Sequence, residues 1–334
     1  MATMKVRPVR VWQRRWERIE GQMDTLKPIL VTGAPRSGTT WVGRMLAEAP
    51  GVFYIHEPFN LDYPPGLGIC GVRFKYWFTY ITLETDTQYY RAIQNTLAFR
   101  YNWAGALNSI RTIDDARKII AEGHCFNDQR RRRSVPLIKD PIALFSAEWL
   151  SKRFGMQVVM MIRHPAAFVS SIKVLNWSHP FSHFLAQPHL MRTFLQPFEG
   201  EIRQYANREH PIFDQAILLW RLIYHTVSVF RDQHKEWVYL RHEDLSRNPV
   251  GGFRDVFDRL GLVFADHVPK VIRLYSGPEN PAQPLEHIGT ESALKRNSFS
   301  NTSNWKRRLS AAEIAQIRDL VEPLSSRFYS EEDW

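Results

Sequence analysis

The segment Gly33-Ala34-Pro35-Arg36-Ser37-Gly38-Thr39-Thr40 constrains this chain more than any other. It follows the apolar run Pro28-Ile29-Leu30-Val31-Thr32 and leads into Trp41-Val42-Gly43-Arg44-Met45-Leu46, so a short strand, a glycine turn and a helix start stand in succession. Successive backbone N–H groups and the positive end of the helix then converge on one point, which suits a phosphate. The spacing is that of a P-loop, although an isolated match also fits an ordinary tight turn. Thr39 stands where a nucleoside triphosphatase carries the lysine that reaches β- and γ-phosphates, and the fixed cation is Arg36, inside the loop. ATP with an attackable γ-phosphate is therefore not the expected ligand.

A second segment separates the nucleotides further. In a phosphoryl-transferring P-loop enzyme another apolar strand ends in an aspartate that holds magnesium. Here Gln157-Val158-Val159-Met160-Met161-Ile162 ends in Arg163-His164-Pro165. Proline at the first turn of a helix, with Arg163 just outside it, aims a guanidinium and free N–H groups at one spot, a place for a second phosphate. The plainer reading is an arginine at a strand end paired with a carboxylate.

Together these segments resemble the sulfotransferases that use 3′-phosphoadenosine 5′-phosphosulfate (PAPS). Pro35-Arg36-Ser37-Gly38-Thr39-Thr40-Trp41 is similar to that family's 5′-phosphosulfate loop, with arginine replacing the lysine of many cytosolic members. The resemblance implies that Arg163 and Ser171, eight residues on, bind the 3′-phosphate; Ser170 is the neighbouring alternative. Arg296-Asn297-Ser298 followed by Asn304-Trp305-Lys306-Arg307-Arg308-Leu309-Ser310 is similar, more loosely, to the last cofactor segment, which brings in Arg296. The implied donor is PAPS, the implied product adenosine 3′,5′-bisphosphate, and no metal is required.

The same resemblance suggests the chemistry. Arg36 and the amides of Ser37, Gly38, Thr39 and Thr40 suit the charge left on the former bridging oxygen. Lys139 matches a family position near that oxygen and adds a second cation or a proton donor, its plainer reading being a surface lysine beside a helix cap. Glu57, in His56-Glu57-Pro58-Phe59, falls where carbohydrate-type and several bacterial members place a catalytic glutamate, and partial desolvation would raise its pKa into a useful range. His56 and Asp140 are the other candidate bases. Trp41 falls where family members stack an aromatic ring on adenine, and a core role is the alternative.

The order of elements agrees with an α/β fold: a single domain with a central parallel sheet flanked by helices, of the P-loop-like sulfotransferase type. Val52-Phe53-Tyr54-Ile55, Val135-Pro136-Leu137-Ile138 and Trp237-Val238-Tyr239-Leu240-Arg241 read as further strands, and helices are expected over 142–154, 166–176 and 212–234. Ligands then lie at the carboxyl ends of the strands. The expected domain spans 28–334, after a basic helical extension at 1–27, with substrate-side insertions at about 59–134 and 177–211.

A formal net charge of +10 favours anionic ligands, whether a nucleotide, an acidic glycan or a membrane surface. Two cysteines define no disulfide framework, and the absence of a long apolar run or a signal-like start points to a cytoplasmic enzyme. Peripheral membrane contact and packing on the domain are both open for the amphipathic stretch Val11 to Ile19. Arg130 to Arg133 reads as a solvated run that also has the charge to steer anions, and His179 and His183 have the spacing of metal ligands on a helix without a supporting carboxylate cluster.

Rings crowd the insertions, among them Tyr63, Phe74, Trp77, Phe78, Tyr89 and Trp177, and suit a small-molecule or glycan acceptor as well as a core. No nucleic acid partner is expected. Two rival readings are a P-loop kinase acting on a small molecule and a non-catalytic nucleotide-binding protein.

Overall fold

The computed structural model describes residues 26–61, 67–282 and 294–334. The stretch Val11 to Ile19 lies outside them, as does Tyr63. Five strands form one parallel sheet: β1 (Ile29–Gly33), β2 (Val52–His56), β3 (Val135–Lys139), β4 (Gln157–Ile162) and β5 (Val238–Arg241). Their order is β2-β3-β1-β4-β5. Leu30, Ile138, Val158 and Met160 face one core, and Ile29, Val31, Leu137, Val159 and Met161 face the other. Strands buried on both faces need apolar residues at every position, which is why they read as unbroken apolar runs.

Helices cover both faces. They are α1 (Thr39–Leu46), α2 (Ile113–Arg131), α3 (Ala147–Phe154), α4 (Pro165–Leu175), α5 (Ile212–Gln233) and α6 (Pro249–Leu260), with shorter helices between. Trp149, Phe168, Ile172 and Trp220 of α3, α4 and α5 pack on the first face. Val42 and Met45 of α1, with Phe253 and Phe257 of α6, pack on the second. The helix expected over 142–154 starts differently: Pro141–Ser146 is a 3-10 turn, and the α-helix begins at Ala147.

The insertion before β3 contains α2, started by a capping box in which Thr112 and Asp115 exchange hydrogen bonds. Arg130 and Arg131 occupy its last turn and Arg132 pairs with Asp128 at 2.8 Å, so the arginine run sits on a helix C-terminus, where cations are favoured. No helix among the described residues is long and apolar enough to cross a membrane.

The strand order decides where a site can form. β1 lies between β3 and β4, and the connections leaving β1 and β4 diverge to opposite sides of the sheet. A crevice opens at the carboxyl ends of these strands. The glycine loop after β1, Lys139 at the end of β3 and Arg163 after β4 therefore meet there.

Candidate active site

The loop after β1 is shaped by positions that tolerate little else. Gly33 has φ +146°, and a Cβ there would fall 2.5 Å from the carbonyl oxygen of Met161. Gly38 has φ +92° and N-caps α1 with no side-chain hydrogen bond; its Cβ would fall 2.6 Å from His242 Nδ1. The first turn of α1 holds no acidic residue, so its N-terminal amides keep their positive end for an anion. Ser37 is buried beside them with its Oγ unpaired.

Arg36 Nε donates to Ser171 Oγ at 3.2 Å, which joins the loop to α4. Ser170 is buried with its hydroxyl unpaired, so Ser171 is the serine that reaches the loop. Arg163 Nη2 donates to the carbonyl of Asn301 at 3.4 Å, and Nε lies 3.6 Å from Glu243 Oε1. The amides beside it are already used: Arg163 N–H donates to the Tyr224 hydroxyl at 2.6 Å and His164 N–H to Glu243 Oε1 at 3.2 Å. This corrects the expectation that those N–H groups face a ligand. Glu243, 4% exposed, also accepts from the Tyr329 hydroxyl at 2.9 Å and so anchors the arginine.

Four guanidinium groups crowd this end of the crevice. Burial, then repulsion from Arg163 and Arg308, holds Arg36 below the ordinary arginine range. Burial, then Arg36, Arg163 and Arg308, brings Arg296 down to about 10. Arginines that depress one another across a desolvated pocket are stabilised when a polyanion enters.

At the other end Lys139, with a side chain 0% exposed, places Nζ on Glu57 Oε1. Asn60 Nδ2 donates to Glu57 Oε2 at 2.5 Å, and Glu57 N–H donates to the Lys139 carbonyl at 2.9 Å. Burial pushes the Glu57 carboxyl up, but the Lys139 ammonium together with His56 and Asn60 outweighs it, and the net displacement is downward. The raised pKa expected for Glu57 is therefore corrected to a lowered one. The surface placement offered as the plainer reading of Lys139 is corrected too, because its ammonium is bound to Glu57 and the side chain is sealed beneath α1. Gly43 makes that possible: a Cβ there would lie 2.9 Å from Tyr54 and 3.1 Å from Lys139.

The alternative bases differ in their surroundings. Asp140 is fully buried, with one oxygen accepting Phe59 N–H at 2.6 Å and the other Ile142 N–H at 2.9 Å. Burial, then the nearby Glu57 charge, raises it to about 7, and its two hydrogen bonds tie the loops after β2 and β3 together. His56 lines the cleft with Nε2 4.0 Å from Glu57 Oε2; desolvation, then the Lys139 charge, brings it down to about 4.

Trp41 is only 8% exposed and packs edge-on against Phe253, centroids 5.1 Å apart, and His242, 5.8 Å apart. Its remaining exposed edge lines the cleft. His183 Nδ1 accepts Trp77 N–H at 3.1 Å, and the His179 ring packs 4.8 Å from Phe184, so both serve the packing of the insertions. Phe74 is likewise structural, stacked between Phe59 at 3.9 Å and Tyr89 at 5.2 Å. Trp77 and Trp177 remain on the cleft, which encloses about 690 Å³.

The sequence did not single out His242, Glu243 or Asn60, and it named Arg308 only within the segment 304–310. The first two follow directly on β5, and a position just past the carboxyl end of a strand is the available signal for them.

A parallel sheet with a glycine loop at its switch point defines an α/β fold whose crevice lies at the carboxyl ends of the strands. The sulfotransferase family model matches residues 28–266, and the chain belongs to that family. No curated protein matches the sequence. Among solved structures, the sulfotransferase domain from the curacin biosynthetic pathway aligns at TM-score 0.46 and 14% identity, over 89% of this chain and 98% of that one. The sulfotransferase domain of the Synechococcus PCC 7002 olefin synthase aligns at 0.43 and 15%, over 92% and 97%. A mouse sulfotransferase complexed with PAP aligns at 0.45 and 11%, over 94% and 90%.

Proposed function

We propose that this chain transfers a sulfuryl group from PAPS to a hydroxyl of a carbohydrate or amphiphilic small molecule, leaving adenosine 3′,5′-bisphosphate. The observation that carries the reading is the Arg36–Ser171 hydrogen bond within the cluster of Arg36, Arg163, Arg296 and Arg308. It supports one ligand with two anionic ends. The unpaired Ser37 Oγ, the open N-terminus of α1 and the cradle at Gly38 all fit such a group.

In this reading Arg36, Ser37, Gly38, Thr39 and Thr40 hold the 5′ end of the nucleotide, Arg163, Ser171 and Arg296 hold the 3′-phosphate, and Trp41 backs the loop from the core. PAPS supplies the activated sulfuryl group. Glu57 accepts the proton of the acceptor hydroxyl, Lys139 keeps that carboxylate ionised, and Asn60 fixes its orientation. Arg36 neutralises charge on the departing nucleotide, so the arginines supply the positive charge that the transfer needs.

Arg163 at the β4 end argues against a kinase, whose magnesium carboxylate belongs there. Glu57→Gln tests the catalytic reading. Turnover of labelled PAPS should fall at least about a hundredfold while bisphosphate affinity stays within about threefold, as expected for a general base. Unchanged turnover removes Glu57 as the base, and no turnover in the parent enzyme favours the non-catalytic reading.

A further inference from the structure

The backbone of Arg163 is held by α5, and its side chain is held by residues from much later in the chain. Its N–H donates to the Tyr224 hydroxyl at 2.6 Å and its carbonyl accepts from Trp220 Nε1 at 3.1 Å. With both backbone groups partnered, the direction of the guanidinium is set by the charges around it. Arg36, Arg296 and Arg308 all feel its repulsion. Glu243 is the carboxylate beside it, with Oε1 3.6 Å from Nε.

A desolvated guanidinium and carboxylate ordinarily close into a short, two-pronged pair. Here Nε lies beyond hydrogen-bond reach of Glu243 and is buried without a hydrogen-bond partner. The cause is on the carboxylate. Oε1 accepts His164 N–H at 3.2 Å, and Oε2 accepts the Tyr329 hydroxyl at 2.9 Å. Glu243 and Tyr329 are both buried, so bulk water does not replace either bond. Glu243 therefore lends its charge to Arg163 without capping the guanidinium donors. Tyr329 is itself clasped: Arg241 Cζ lies 4.5 Å over its ring, the His164 ring packs edge-on with centroids 4.9 Å apart, and Asp333 accepts from Arg241 Nη2 at 2.5 Å.

We propose that Tyr329 is a positioning residue for the nucleotide's 3′-phosphate, acting through Glu243 to keep the Arg163 guanidinium from closing onto that carboxylate. The inference rests on the assignment of Arg163 to this phosphate. When the hydroxyl is removed, Oε2 loses its donor and turns to the nearest other one, Arg163. The phosphate then competes with a carboxylate for the same planar fork of N–H groups.

The test titrates adenosine 3′,5′-bisphosphate and AMP into the full chain by calorimetry. Tyr329→Phe keeps the ring and should weaken bisphosphate binding about tenfold, with AMP affinity within about twofold of the parent. KM for PAPS should rise by a similar factor with kcat little changed. In an Arg163→Ala background the same substitution should alter bisphosphate affinity by no more than about twofold, because its effect passes through that side chain. Asp333→Asn loosens Arg241 and leaves the Tyr329 hydroxyl in place. It should reproduce the pattern at about threefold, and it serves if the phenylalanine variant does not fold. An unchanged preference for bisphosphate over AMP in these variants, an equal loss for both nucleotides, or a loss that persists without Arg163 overturns the proposal. A parent that does not bind the bisphosphate overturns the donor reading and this inference together. A preference that needs Arg163 but not Tyr329 overturns this inference alone.

Discussion

Arg36 Nε and Ser171 Oγ lie 3.2 Å apart although their positions in the chain differ by 135. One belongs to the glycine loop after β1, the other to the second half of α4, and their contact joins the two segments at the crevice. Ser171→Ala should weaken adenosine 3′,5′-bisphosphate binding about tenfold, the value of one hydrogen bond to a charged partner. Ser170→Ala, at a hydroxyl buried away from the loop, should leave that affinity within about twofold. Isothermal titration of both variants distinguishes them.

Lys139 holds Glu57 ionised, and that has a direct pH signature. A base must be deprotonated, so kcat/KM falls as pH drops through its pKa. In the parent enzyme Glu57 lies below the ordinary glutamate value, and the acid limb should therefore sit below about pH 4.5. Lys139→Met removes the chief opposition to burial, raises Glu57 and should move the limb upward by at least about one pH unit. A profile that does not move would show that Lys139 acts elsewhere.

Gly43 lets α1 cross closely over Tyr54 and Lys139. Gly43→Val places a side chain within 2.9 Å of Tyr54 and 3.1 Å of Lys139 at its first atom. Overpacking there should cost about 1–3 kcal/mol and displace the lysine. A lower urea midpoint accompanied by an upward shift of the acid limb would report both effects.

His164 gives the fold an acid-sensitive element. It is buried between Trp305, Tyr329 and Trp334, and burial is the leading cause that brings it down to about 3. The unfolded chain takes up a proton near pH 6.5 that the folded chain refuses until about 3. Stability from this residue is thus complete above 6.5 and declines as pH falls, by up to about 1.4 kcal/mol per pH unit. Urea unfolding at pH 7 and pH 5 should show the loss, and His164→Phe should reduce it.

Strands, loop and strand-end cations were legible in the sequence because each is a local pattern: unbroken apolar runs for β1, β3 and β4, glycines at fixed spacing, and Arg163 immediately past a strand. The carboxylate partner of Lys139 was not. It follows from β2 lying beside β3 in a register that sets His56 opposite Lys139, which is a tertiary fact. Trp41 reads equally as stacker or core until Phe253 arrives from far along the chain. Helix α2 announces its start through Thr112 and Asp115, but only Ile119, Gly123 and Phe126 are buried along it, too thin a stripe to stand out.

The most direct test of two cationic pockets gripping one nucleotide is the calorimetric affinity for adenosine 3′,5′-bisphosphate against AMP, in the parent protein and in Arg163→Ala. The parent should prefer the bisphosphate at least about a hundredfold, some 2.7 kcal/mol, and the variant should lose most of that preference. Equal affinity for the two nucleotides in the parent, or a preference that survives removal of Arg163, would contradict the account.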